Sequence, residues 1–175
     1  GGNFGWRLKE GSFRFDPNGE DNGFVTDDLS GEPPDLIDPL FEYDHDEGIS
    51  IIGGYIYRGQ EVLKLQGKYV FGDFSGPPAS SDGRLFFLDP DDPQIRELVI
   101  GPQNRALGFF LKGFGQDAQG EMYALVSDSA GPFGTSGQVL KIVNLCQSDL
   151  AGDIDDNCVV DFRDLSIIAD QWLST

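Results

Sequence analysis

Histidine and methionine occur once each in the 175 residues, and cysteine twice. Basic residues are also scarce: 12 Lys and Arg stand against 30 Asp and Glu, a net charge of −18. So large an acidic excess repels nucleic-acid phosphates and anionic headgroups, which argues against both as partners. No apolar run approaches the ~20 residues that a membrane helix needs. No Ser/His/Asp or Cys/His arrangement is present. The lone His45 lies among Asp44, Asp46 and Glu47, where it reads as a loop hydrogen-bonding residue rather than a catalyst. Gly53-Gly54 lacks the strand–loop–helix setting of a phosphate cradle. The surplus of acids suits solubility in an external medium.

What the chain does have is glycine, 24 residues, and phenylalanine, 14 residues. That many aromatics excludes a disordered acidic tail, and short apolar runs between turn residues point to an all-β body. Residues 1–48 show little periodicity and several Pro and Gly turn signals, so they read as a long loop region with short extended pieces. From residue 49 the pattern changes. Runs at 50–58, 68–73, 84–89, 95–100, 106–115, 121–126 and 138–143 are separated by turns such as Asp82-Gly83 and 117–120. Seven short strands fit a meander, sandwich, barrel or propeller. With four strands per blade, seven make one full blade and one blade short by a strand. The opening GGNFGWRLKEG reads as the interior of a fold, so upstream structure is expected.

The last 29 residues differ. In 153–164, oxygen-bearing side chains fall at loop positions 1, 3, 5, 9 and 12: Asp153, Asp155, Asn157, Asp161 and Asp164. The backbone carbonyl of Val159 would supply position 7. This is the spacing of an EF-hand-type loop, which offers Ca²⁺ its six or more oxygens. Two positions depart from the usual loop: Cys158 replaces the turn glycine, and Asp164 replaces the longer Glu. The plainer alternative is a solvated acidic loop in which Asp161 caps a helix. Phe162, Leu165, Ile168, Ala169, Trp172 and Leu173 recur at spacings of three and four, one face of that helix. Cys146 and Cys158 are expected to form a disulfide if the protein is exported.

Two resemblances follow from these residues. The loop and helix, with Asp153, Asp155, Asn157, Asp161, Leu165, Ala169, Trp172 and Leu173, resemble one repeat of a type I dockerin, a module that implies an extracellular protein partner. The β region is similar to the pyrroloquinoline-quinone-dependent dehydrogenases of the glucose/sorbosone type. The blocks carrying this are Asn3-Phe4-Gly5-Trp6 with Glu10-Gly11, Tyr43-Asp44-His45, residues 50–59, LQGKYVFGDF at 65–74, Gly83-Arg84-Leu85-Phe86, GFGQDAQGEMYAL at 113–125 and residues 137–142. A related domain occurs in hedgehog-interacting protein. The dehydrogenase resemblance implies a six-bladed propeller, a sugar or polyol substrate and pyrroloquinoline quinone (PQQ) as cofactor. It implies no catalytic residue here, because the family's base lies in earlier blades, and hence a fragment inactive by itself. Basic groups for the quinone carboxylates would be Arg84 first and Arg58 second; strand-end charges paired with one of the many acids are the competing reading. Trp6 reads as a sugar-stacking ring or a packing anchor.

The resulting expectation is a mainly β chain: about two blades of a propeller over 1–143, then a calcium-loop and helix module over 144–175. Its parent would be an exported, extracellular or periplasmic sugar dehydrogenase. The alternative is a non-catalytic propeller that binds carbohydrate or protein outside the cell.

Overall fold

All seven runs are strands in the computed structural model, and three shorter strands precede them. The structure describes residues 1–16, 25–76, 80–92, 94–101, 104–144, 152, 154, 160 and 162–173, less the side chains of 163, 170, 171 and 173. The chain is mainly β, and all strand pairs are antiparallel. The expected seven strands become ten among the described residues, because β1 (Lys9–Glu10), β2 (Phe13–Phe15) and β3 (Val25–Thr26) form a small sheet inside the region read as loop. Strands of two or three residues are too short to display alternation, which is why periodicity passes over them. Gly11, at φ 63°, supplies the positive φ of the two-residue turn between β1 and β2.

The second sheet is a meander of β4 (Ile51–Ile56), β5 (Tyr69–Asp73), β6 (Arg84–Leu88) and β7 (Ile95–Glu97). The third is a meander of β8 (Phe110–Gln116), β9 (Met122–Ser127) and β10 (Gln138–Lys141). Four strands plus three is the division expected from the run count. β4 carries a bulge: Ile52 faces Gly72 and Tyr55 faces Val70, so Gly53 and Gly54 oppose one residue. A side chain at Gly54 would run into the Val70 carbonyl, so the extra residue fits only without a Cβ.

Alternation assigns each sheet a core face. Met122, Ala124 and Val126 of β9 are buried while Leu125 between them is exposed. They pack with Leu111 and Phe114 of β8, Val70 and Leu85 of the second sheet, and Tyr57 and Leu65 from the segment joining β4 to β5. The opposite face of the second sheet carries Tyr69, Phe71, Asp73, Arg84, Phe86 and Glu97, as the register requires. Phe71 and Phe86 are nonetheless buried: Tyr43, from the segment before β4, packs tilted against Phe86 at 5.9 Å between ring centroids, and Phe71 lies between Phe86 at 5.5 Å and Tyr69 at 5.6 Å.

The helix expected near the end is present as α1 (Phe162–Leu173). Its apolar stripe remains outward: Phe162, Leu165, Ile168 and Trp172 are all exposed. Among the described residues no helix is long and apolar enough to cross a membrane.

Candidate functional site

Both ends of the second sheet are organised around a buried carboxylate, and neither carboxylate stands out in the sequence as a site. At one end Asp73, fully buried, closes β5. Its Oδ1 accepts hydrogen bonds from the backbone N–H groups of Ile49 (3.0 Å), Ser50 (3.1 Å) and Ser75 (3.1 Å). Its Oδ2 accepts the Tyr43 hydroxyl at 2.7 Å. Burial, and next the bond to Asp73, raises the Tyr43 pKa above its ordinary value. Asp73 thus fastens the 43–50 segment over the aromatic face of the sheet.

Arg84 lies beside it, paired with Asp73 in register. Its guanidinium forks onto Glu97, Nε to Oε1 at 3.0 Å and Nη2 to Oε2 at 2.8 Å. Nη1 donates to the Glu47 carbonyl, and the group lies 4.8 Å above the Phe86 ring. A cleft of about 600 Å³ opens here between the 41–47 segment and β7, with Arg84 and Phe86 at its base. Glu42, on its rim, accepts Ser12 N–H at 2.6 Å and the Ser12 hydroxyl at 2.5 Å, which ties the segment to the first sheet.

At the other end sits Glu121, 5 % exposed. It accepts the Tyr57 hydroxyl (2.5 Å) and the N–H groups of Gln60 (2.7 Å) and Glu61 (3.1 Å). Burial pushes its pKa up, but these donors outweigh burial and hold it below the ordinary value. The Tyr57 hydroxyl in turn accepts Val62 N–H at 2.9 Å. Glu121 stands just before β9 and Tyr57 just after β4, so this network joins the two larger sheets.

The two arginines proposed for one cofactor are therefore apart. Arg84 begins β6 at the Asp73 end. Arg58 lies two residues past β4, at the Glu121 end, exposed, with its N–H on the Gly120 carbonyl. The strand rise separates them by roughly 15–20 Å. Arg84 is paired with Glu97, and Arg58 lies at the other end of the sheet. His45 is exposed, 3.7 Å from Glu10, in keeping with a loop role. Trp6 is 94 % exposed, which excludes a packing anchor among the described residues. Asp117 accepts Gln119 N–H and Glu121 N–H, as a strand-connecting turn requires.

Of the proposed calcium ligands only Asp164 is described. It is 2 % exposed, and its Oδ1 accepts Ile154 N–H at 2.5 Å, which draws the end of the twelve-residue loop back to its beginning. Asp153, Asp155, Asn157, Val159 and Asp161 lie outside the described residues, as do Cys146 and Cys158. Among the described residues no group of three potential metal ligands occurs.

No family model matches the chain. It is similar to the HIPL1 protein of Arabidopsis thaliana, 30 % identical over 147 residues, and to the HIPL2 protein of the same plant, 35 % identical over 148. Each match covers 73 % of this chain and 20 % of the relative. Hedgehog-interacting protein of Mus musculus is 32 % identical over 102 residues, 54 % of this chain and 13 % of that protein. The chain spans about a fifth of the length of the HIPL relatives.

These relatives correct the sequence reading. They bear hedgehog-interacting and HIPL names, not those of sugar dehydrogenases. The sugar or polyol substrate and the oxidoreductase assignment are therefore withdrawn, and PQQ, implied only through that resemblance, goes with them. The dockerin assignment, with its dockerin-type partner, finds no support and is also dropped. Strand and turn residues carried the dehydrogenase resemblance, and one fold hosts many activities. Tyr43, Asp73, Glu97 and Glu121 are the site residues that sequence reasoning missed. A signal existed for two of them: Asp73 ends the apolar run YVFGD and Glu121 opens EMYALV, each a carboxylate adjoining a buried strand.

Proposed function

We propose that the chain belongs to a non-catalytic protein-binding molecule that works outside the cell. The similarity to hedgehog-interacting and HIPL proteins over most of the chain carries this reading. The sheets support it by what they lack: Arg84 is consumed by Glu97, and the second arginine is at the far end. In this reading residues 1–143 form about two blades of a propeller, supported by a four-stranded meander packed beside a three-stranded one.

The partner is tested on the full chain with a recombinant Hedgehog protein as probe, by surface plasmon resonance. Saturable binding is expected, with no dye reduction when glucose, PQQ and Ca²⁺ are supplied together. Absence of binding, or quinone-dependent dye reduction, would overturn the proposal.

Residues 144–175 form the second part of the proposal, a calcium-loop and helix module. Asp153, Asp155, Asn157, the Val159 carbonyl, Asp161 and Asp164 would hold the ion. The fit is supported by Asp164, a buried carboxylate turned back to the loop's start. The ion would supply a hard positive centre that binds both ends of the loop. Ca²⁺ at a hundredfold excess over its Kd should stabilise the module by about 2.7 kcal/mol. Asp164→Ala and, separately, Asp153→Ala should abolish that gain in thermal unfolding of the full chain. A gain unchanged in both variants disproves the loop.

A further inference from the structure

The cleft at the Asp73 end has a definite chemistry. Its lining includes Glu42, Asp46, Glu47 and Glu97 against the single Arg84, a net charge of −3. Arg84 offers an anion little, because Glu97 matches its charge and three of its five N–H donors are already taken, by Glu97 and the Glu47 carbonyl. Glu42 is likewise engaged, by Ser12. Asp46 and Glu47 differ: both are exposed, and their carboxylates have no hydrogen bond or ion pair among the described residues. Phe41 and Tyr43, half-buried, add an apolar wall. The opposite wall is β7, an edge strand with a sheet partner on one side only among the described residues, which leaves its other backbone edge open to them.

The walls are held from two sides. Asp73 binds Tyr43 and the backbone of Ile49 and Ser50 from within the sheet. Ser12 binds Glu42 from the first sheet. A ligand therefore meets a groove formed beforehand, which lowers the ordering cost of binding.

We infer that this cleft receives an extended, Lys- or Arg-bearing segment of a partner protein. Its cationic head lies between the Asp46 and Glu47 carboxylates. Its aliphatic stem lies along Phe41 and Tyr43, and its backbone runs beside the open edge of β7. The sign of the charge selects this occupant, since an acidic segment would meet four carboxylates. The aromatic wall separates it from a bare metal ion, which takes oxygens alone. The inference rests on the protein-binding reading and adds where, and through which chemistry, contact is made.

The probe is the pentapeptide acetyl-Thr-Val-Arg-Val-Thr-amide, with citrulline in place of arginine as its neutral isostere. The full chain, labelled with ¹⁵N, is titrated with each. The arginine peptide should shift the amides of residues 43–47 and 95–97 saturably and bind about threefold or more tighter than the citrulline peptide, the scale of a partly exposed ion pair. The double variant Asp46→Asn/Glu47→Gln should remove that preference, while Glu61→Gln, at the far end of the sheet, should preserve it. Equal affinity for the two peptides, shifts elsewhere, or a preference unchanged in the double variant would overturn the cleft. If the Hedgehog probe binds wild type and double variant equally, the cleft assignment falls and the protein-binding reading stands. If the arginine peptide binds as expected and the Hedgehog probe does not, the cleft's preference for a cation stands and the protein-binding reading falls.

Discussion

Glu121→Ala lowers the stability of the β body by about 3–5 kcal/mol, because three donors lose their only shared acceptor inside the protein. Those donors are the Tyr57 hydroxyl and the N–H groups of Gln60 and Glu61. Tyr57 is fully buried, so its hydroxyl has no water contact to replace the lost bond in the native packing. The loss reaches beyond one side chain, since Tyr57 follows β4 and Glu121 precedes β9, and their bond spans the sheet interface. Urea unfolding followed by far-ultraviolet circular dichroism measures the effect. A change within about 0.5 kcal/mol, the scale of an ordinary surface substitution, would refute it.

Acid should diminish the difference between wild type and variant. The folded-state pKa of Glu121 lies below its ordinary value, burial being outweighed by the three donors. A group shifted in this direction contributes fully above the unfolded-state pKa of about 4.3 and loses that contribution as pH falls through the lower folded-state value. The gap in urea midpoint should therefore narrow between neutral pH and pH values below that range. A gap that widens in acid would contradict the assignment of Glu121 as an ionised acceptor.

Asp73→Ala is the second large effect. It orphans the N–H groups of Ile49, Ser50 and Ser75 together with the Tyr43 hydroxyl. Here part of the cost is local, because the 43–50 segment can lift and let water reach its backbone. The expected loss is about 3 kcal/mol in Asp73→Ala and about 1 kcal/mol in Asp73→Asn, whose remaining oxygen still serves the three backbone donors. Hydrogen exchange separates the two consequences. In Asp73→Ala the amides of Ile49 and Ser50 should exchange far faster than those of Met122 and Ala124 in the core. Equal acceleration at all four would mean that Asp73 supports the fold as a whole and does not specifically fasten this segment.

Asp73 and Glu121 also show where sequence reasoning stops. Each is a charged residue at the end of an apolar run, and such a residue reads equally as a turn solvated by water. The donors that bury it come from elsewhere: Ile49 lies 24 residues before Asp73 and Gln60 lies 61 before Glu121. Arg84 and Arg58 mark a second limit. Both look like strand-end cations, and nothing in their spacing says that the meander sends them to opposite ends of one sheet. Their register, with Asp73 beside Arg84 and Tyr69 beside Ile56, is set by β5, which lies between them.

The strands from 50 onward and the final helix were readable because their signals are local. β-rich runs, Gly and Pro turns and a three–four apolar spacing each act within a few residues of themselves. The acidic balance was readable too, since net charge needs no geometry. Tertiary structure decided the rest: three minimal strands in the leading region, two buried carboxylates, a cancelled arginine and a cleft against an open sheet edge. The buried carboxylates and the cleft depend on hydrogen bonds and ring contacts between residues tens of positions apart. A carboxylate's burial, its pKa and its use are set by the donors around it, and these donors gather only when the sheets pack.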